Sequence, residues 1–235
     1  MTYVISDIHG DWYAYQNILS QIDLKDEDQL YILGDVIDRG PDGIRILQDI
    51  MVRKNIVMTL GNHELMMLDF FLNPGDKNYG FLWWINGGDP TLQTFDALSP
   101  QKQTDILDYL SFLPLEVELN VGERRFRLVH AAPKYLYETK NYDNSTLREF
   151  CVWHRELGAD LREDETLIFG HTPVVHFDRR HPNNIWHGSN RIDIDTGCQT
   201  SGEVLGCLRL DDMKEFYSIP DWFNPNTDSK GKDID

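Results

Sequence analysis

Five short stretches of the chain place carboxylates, imidazoles, an amide and a guanidinium directly after apolar runs. "VISDIHGD" carries Asp7 and His9, "YILGDVIDRG" carries Asp35, Asp38 and Arg39, and "VMTLGNHE" carries Asn62 and His63. "RLVHAAP" adds His130 and "LIFGHTP" adds His171. Taken singly, each histidine could be a hydrogen-bonded structural residue, and Asp7 or Asp35 an ordinary turn cap. Structural need does not explain five such ends at once. Carboxylate oxygens and neutral imidazoles together suit borderline divalent metals such as manganese, iron or zinc. The ligands suffice for two ions if one carboxylate bridges, and a pair of ions forms a clamp for in-line attack on a phosphoester.

Elements must bring these turns together. The spacing predicts strands at Tyr3–Ser6, Leu30–Leu33 and Asn55–Leu60, each followed by a Gly- or Asp-rich turn and then a helical pattern. Tyr15, Ile18, Leu19 and Ile22 mark the first helix. Ile44, Leu47, Ile50 and Met51 mark the second, opening at Pro41, and Leu65, Leu68 and Leu72 mark a third. This βαβαβ rhythm implies a largely parallel sheet, with all five polar turns at one edge of one sheet, outside the strand carboxyl ends where α/β folds gather ligands. The stretch "FLWWINGGDP" reads as irregular, and a helix capped by Ser99 runs from Pro100 to Leu113. A hairpin turns around Asn120–Gly122, and a helix covers Leu147–Leu157. Strands return at "TLIFG", "RIDID", "VLGCLRL" and "EFYSI", giving one domain over 1–220 and a polar tail over 221–235.

The chain of 235 residues carries a net charge of −17, from 39 acids against 22 bases. Such a field repels polyanions, so nucleic acid is not an expected partner, and any anionic substrate needs a site whose local sign is reversed. Two bound cations would supply that reversal. No run of eighteen apolar residues occurs, and "YVIS" begins too early for a signal peptide, so the expectation is a cytoplasmic protein with no membrane span. The three cysteines form no CxxC pair and suit a reducing compartment. None has an arginine six residues on, since Leu157, Val204 and Met213 stand there, which argues against a cysteine-nucleophile phosphatase.

In this order, "DIHG", "GDVIDRG", "GNHE", "HA" and "GHTP" closely resemble the PPP family of metal-dependent phosphoprotein phosphatases, and "WWINGG" and "WHRE" are similar to its compact bacterial and bacteriophage lambda-type members. The resemblance spans Val4 to about Gly197 and implies an α/β calcineurin-like metallophosphoesterase sandwich, with central β-sheets flanked by helices. By resemblance, Asp7, His9 and Asp35 hold one metal, with Asp35 bridging, and Asn62, His130 and His171 complete the second. Two divalent ions are implied, manganese first, with iron, zinc or nickel as other occupants. A hydroxide bridging them would attack phosphorus directly. His63 becomes the general acid oriented by Asp38, whose carboxylate favours the imidazolium form. Arg39, Arg155 in "WHRE" and Asn62 become phosphate-binding residues. Departures from the family pattern are few. Ser6 replaces a frequent glycine, "HAA" replaces the commoner "HAG", and His154 is a candidate substrate-facing variation.

The function so implied is serine/threonine phosphoprotein phosphatase activity, extending to phosphotyrosine, on a phosphorylated protein or peptide. The rivals on the same fold are a symmetrical diadenosine tetraphosphatase and a small-molecule phosphoesterase. Relatives of the first rival typically carry alanine at the position of Asp38 and GNHD where this chain has Glu64. A module that had lost the chemistry would be expected to lose His63, Asp38 or a bridging ligand, and the acidic charge opposes a nucleic-acid phosphodiesterase. "RIDIDTG" superficially resembles the Asp-x-Asp motif of haloacid dehalogenase-like phosphatases but has Gly197 where Thr or Val is required, so Asp195 and Gly197 read as support for the sheet edge. Trp83 and Trp84 line a substrate groove or form a satellite core, and His176, His181 and His187 read as surface or supporting residues. Specificity would lie in residues 73–99 and 177–190; oligomeric state is not legible.

Overall fold

The computed structural model describes residues 1–140, 145–155, 161–199 and 204–219. The expected tail from Asp221 lies outside the described residues. The first part of the chain is β1 (Thr2–Ile5), α1 (Trp12–Ile22), β2 (Gln29–Ile32), α2 (Gly43–Val52), β3 (Ile56–Met58) and α3 (Asn62–Leu72). It continues as α4 (Lys77–Ile85), α5 (Asp89–Asp96) and α6 (Pro100–Ser111). The second part is β4 (Glu116–Val121), β5 (Arg124–Val129), α7 (Lys134–Lys140), α8 (Leu147–Trp153) and β6 (Thr166–Phe169). A 3₁₀ turn at Val174–His176 leads to β7 (Trp186–His187), β8 (Arg191–Asp193), β9 (Gly206–Arg209) and β10 (Lys214–Tyr217).

These strands form two mixed sheets of five, ordered β10-β9-β1-β2-β3 and β4-β5-β6-β8-β7. The expected parallel βαβαβ unit is present as β1, β2 and β3. The chain then departs from the single-sheet expectation. After the β4–β5 hairpin it builds a second sheet, whose parallel centre is β5, β6 and β8, and only β9 and β10 return antiparallel to β1.

Side-chain alternation sorts the layers, because successive strand residues face opposite ways. Tyr3 and Ile5 of β1 pack beneath α1 to α6, together with Ile18, Leu47, Leu68, Phe95 and Leu110. Val4, between them, joins Phe126, Leu128, Ile168, Ile192 and Leu208 in the core between the two sheets. Leu167 and Phe169 of β6 turn outward to Leu136 of α7 and Phe150 of α8. The result is a four-layer sandwich of helices, sheet, sheet and helices. All strands that end at the polar turns are thus covered on both faces, which is what makes those turns stable platforms.

Helix starts follow their local chemistry. Asp11 Oδ1 accepts the Ala14 N–H at 2.8 Å, and Ser99 Oγ accepts from Lys102, as its position predicts. The aromatic stretch expected to be irregular is instead α4 and the start of α5. Among the described residues, no helix is long and apolar enough to cross a membrane.

Candidate functional site

The five polar turns converge, but from two sheets. Those after β1 and β2 and the start of α3 bring Asp7, His9, Asp35, Asp38, Arg39, Asn62 and His63 from the first sheet. The turns after β5 and β6 bring His130 and His171 from the second. Asp7, His9, Asp35, Asp38, Arg39 and His171 all hold the left-handed backbone, with φ of 52, 50, 53, 71, 67 and 66°. That region disfavours side chains by about 1–2 kcal/mol per residue. Hydrogen bonds between turns hold it in place: His9 N–H to the Asp35 carbonyl at 3.0 Å, Gly10 N–H to Val36 at 2.8 Å, and Gly40 N–H to His9 at 3.0 Å.

Glu64, fully buried on α3, fixes the second turn from below. Its carboxylate accepts the N–H groups of Asp35 and Val36, each at 2.8 Å, of Ile37 at 3.3 Å, and of Gly61 at 3.1 Å. The Asp35 carboxylate in turn accepts the His63 N–H at 3.0 Å from the buried N-terminal turn of α3, a position that suits an anion. The approach is so close that a Cβ on Gly61 would overlap Asp35 Oδ1 and Asp35 N.

The imidazoles are oriented by backbone carbonyls. His9 Nδ1–H donates to Ile37 O at 3.1 Å, His130 Nδ1–H to Leu33 O at 2.6 Å, and His171 Nε2–H to Trp153 O at 3.2 Å. In each neutral ring the other nitrogen then turns a lone pair into the pocket, the arrangement that metal-binding histidines adopt. His9 Nε2 faces Asp7 Oδ1 at 3.9 Å and Asp35 Oδ2 at 3.8 Å. His130 Nε2 faces Asn62 Oδ1 at 2.9 Å and Asp35 Oδ1 at 3.4 Å. Lone pairs meet lone pairs in both places, and a cation between them is what that donor set fits. Asp35 belongs to both groups, with His9 and His63 on one side and His130 and His171 on the other.

Electrostatics agree with this fit. Burial pushes His9, His63 and His171 well below the ordinary imidazole value and lowers His130 too, so these rings stay neutral. Burial, with Asp7 and Glu64 nearby, pushes the Asp35 carboxyl well up. A cation would reverse the second effect and spare the first.

His63 stands apart from the other rings. Its Nδ1–H donates to Asp38 Oδ2 at 2.6 Å, and its Nε2 accepts from Arg39 Nη2 at 3.3 Å, which occupies the lone pair. This separates it from His9 although its Nε2 is equally near Asp35, at 3.8 Å. The imidazolium expected from the Asp38 partner is not the favoured form. Burial and then the Arg39 guanidinium lower His63, while burial lifts Asp38 to about 7. Arg155 lies at the mouth, where Nη1 donates to the His171 carbonyl at 3.0 Å and to Thr172 Oγ1 at 3.1 Å.

Every residue singled out in the five motifs, with Arg155, is therefore brought to this region. Other expectations divide. Trp84 is exposed, whereas Trp83 is buried and donates Nε1–H to Asp38 Oδ2 at 2.8 Å, so it is neither groove nor plain core. His154 stacks on Phe150 at 4.5 Å. Asp195 does support the neighbouring turn, its carbonyl accepting the Val174 N–H at 2.9 Å. His176, His181 and His187 are exposed, the last two paired with Asp178 and Glu215. Sequence reasoning missed the roles of Glu64, Trp83 and Ser6. The hydroxyl of Ser6 donates to Asp7 Oδ2, which the His171 N–H also reaches at 3.1 Å. A buried acid within "GNHE" was the signal available for Glu64.

Comparison with known proteins bears on this geometry. The family profile of the calcineurin-like phosphoesterases matches residues 2–204. Serine/threonine-protein phosphatase 2 of Escherichia coli (strain K12) is 30% identical over 209 residues, covering 86% of this chain and 89% of that protein. The symmetrical bis(5'-nucleosyl)-tetraphosphatase of Erwinia tasmaniensis is 40% identical over 172 residues, covering 72% of this chain and 54% of that protein. A solved structure proposed to be a diadenosine tetraphosphatase superposes with a TM-score of 0.66 at 19% identity, covering 95% of this chain and 94% of that one, a likeness of fold alone.

Proposed function

The chain belongs to the calcineurin-like phosphoesterase family, a family of metal-dependent hydrolases, and on that footing we propose that it is a phosphoprotein phosphatase acting on phosphoserine and phosphothreonine monoesters. The observation that carries this reading is the buried His63–Asp38 pair, 2.6 Å apart beside Arg39. A serine or threonine alkoxide is a poor leaving group and needs a proton as the ester bond breaks. A nucleotide leaving group is already a stable anion and needs one far less. The similarity to serine/threonine-protein phosphatase 2 along most of both chains supports the same choice.

Asp7, His9 and Asp35 would hold one divalent cation, and Asp35, Asn62, His130 and His171 the second; manganese is the proposed ion. When bound, such a pair supplies a nucleophilic water at neutral pH and offsets charge on the phosphoryl oxygens. Arg39 and Arg155 flank the pocket mouth and would take the phosphoryl oxygens through paired N–H donors. Engaging Arg39 in this way would draw its guanidinium off His63 Nε2 and bring phosphoryl charge close to the ring. Both changes raise the affinity of His63 for a proton, which it could then pass from Nε2 to the departing alkoxide. Asp38 would keep Nδ1 protonated and the ring in place throughout.

A symmetrical dinucleotide tetraphosphatase is the second reading, favoured by the 40% identity to the Erwinia tasmaniensis enzyme. Metal-stripped protein, assayed with and without added Mn²⁺ on a phosphoserine peptide, a phosphotyrosine peptide and diadenosine tetraphosphate, decides between them. Mn²⁺-dependent phosphate release from the phosphoserine peptide is the expected result. Hydrolysis of the dinucleotide alone would retain the site and replace the substrate.

A further inference from the structure

Taking the phosphatase reading as its basis, we propose that the α4–α5 segment is the positioning clamp of the proton donor, with the Trp83 indole N–H aiming Asp38 at His63 and with Gly87 and Thr91 holding the backbone beneath. Three contacts converge on two consecutive residues. Trp83 Nε1–H donates to Asp38 Oδ2 at 2.8 Å, the same oxygen that receives His63 Nδ1–H at 2.6 Å. The Asp38 N–H donates to Thr91 Oγ1 at 2.9 Å, and the Arg39 N–H donates to the Gly87 carbonyl at 2.9 Å.

Each contact falls where the chain needs it. Asp38 and Arg39 are adjacent non-glycine residues in the left-handed region, a conformation that persists only when its surroundings impose it. Asp38 Oδ1 is buried and has no hydrogen-bond partner among the described residues, so the directed contacts to the carboxylate gather at Oδ2. The indole and the His63 ring meet at that one oxygen, and the indole aims it. The indole is itself immobilised, its ring 5.3 Å from Phe70 and 6.0 Å from Phe71, with only 2% of the residue exposed. Gly87 has φ of 94°, and a Cβ there would press on Arg39 at 3.1–3.4 Å, so the turn between α4 and α5 lies directly against the arginine. A clamp of this kind holds a reacting group to the few tenths of an ångström that proton transfer demands.

Trp83→Phe keeps the aromatic packing and deletes the N–H. In the metal-loaded enzyme it should lower kcat on a phosphoserine peptide roughly tenfold with KM unchanged, yet alter kcat on p-nitrophenyl phosphate by less than about twofold, because that leaving group needs no proton. Proton NMR gives a second reading independent of turnover: the downfield Nδ1–H resonance of His63, identified by its loss in His63→Asn, should move in Trp83→Phe. Thr91→Val, which removes the acceptor for the Asp38 N–H, should act in the same direction and serves if the tryptophan variant does not fold. Equal losses on both substrates, or wild-type kinetics with an unmoved resonance, would overturn the clamp while His63→Asn still separated the two substrates. If His63→Asn failed to separate them, the proton-donor reading itself would fall, and the resonance alone would decide whether Trp83 orients the pair.

Discussion

Asp35 is the residue on which the candidate site turns. It faces His9 and His63 through one oxygen and His130 through the other, and its own amide is held by Glu64. Asp35→Asn keeps the shape and replaces one oxygen by an amide nitrogen, which cannot ligate. Metal retained after dialysis, measured by atomic absorption, should fall for both ions, with affinity reduced by about 100-fold or more and turnover lost in parallel. Full metal content in the variant would refute the bridging role. At this scale the sequence was most informative, because carboxylates and imidazoles after apolar runs are poor core material. What it concealed were residues that act through another group. Glu64 meets backbone amides nearly thirty positions earlier, and Trp83 has the composition of core while its single N–H serves Asp38.

Among elements, α3 is the part that locks the β2 turn, since it delivers Asn62, His63 and Glu64 within one helical turn and stacks Gly61 on Asp35. Gly61→Ala should therefore displace Asp35 without touching any candidate ligand chemically. Overpacking of a buried site costs about 1–3 kcal/mol, so the variant should melt earlier in a thermal scan and bind Mn²⁺ more weakly in calorimetry. Unchanged Mn²⁺ affinity would show that the turn adjusts freely. Helices α1, α2 and α3 were legible from apolar spacing and α6 from its Ser99 cap and Pro100 start, as was the β4–β5 hairpin with its turn. Helix α4 was not, because "FLWWINGG" is apolar almost all round and ends in glycines, which hides a 3.6 period. The second sheet was hidden from the spacing as well and was implied only by the family resemblance, whose sandwich of β-sheets flanked by helices is the fold found. The runs that form β5, β6 and β8 look like those of β1 to β3, and nothing in a buried strand's composition says which sheet it joins.

Across the whole molecule, the candidate site sits where two sheets meet, inside a chain of net charge −17. That field acts on any approaching polypeptide before contact is made. Phosphopeptides flanked by lysine or arginine should show higher kcat/KM than neutral or acidic ones of the same length. The advantage should shrink as salt rises to physiological strength, where screening acts over about 8 Å. A flat salt dependence for all three peptides would mean that recognition is confined to the pocket.

The six left-handed residues around the pocket have a bearing on how such a protein can change over generations. Their backbone lies where glycine is favoured, so glycine at Asp38, Arg39 or His171 would relax the fold and remove the candidate chemistry in one step. For stability alone, glycine would be the less strained choice at those positions. Charged and imidazole side chains seated in a geometry that resists them therefore mark, in the main chain itself, a site shaped for its chemistry rather than for stability.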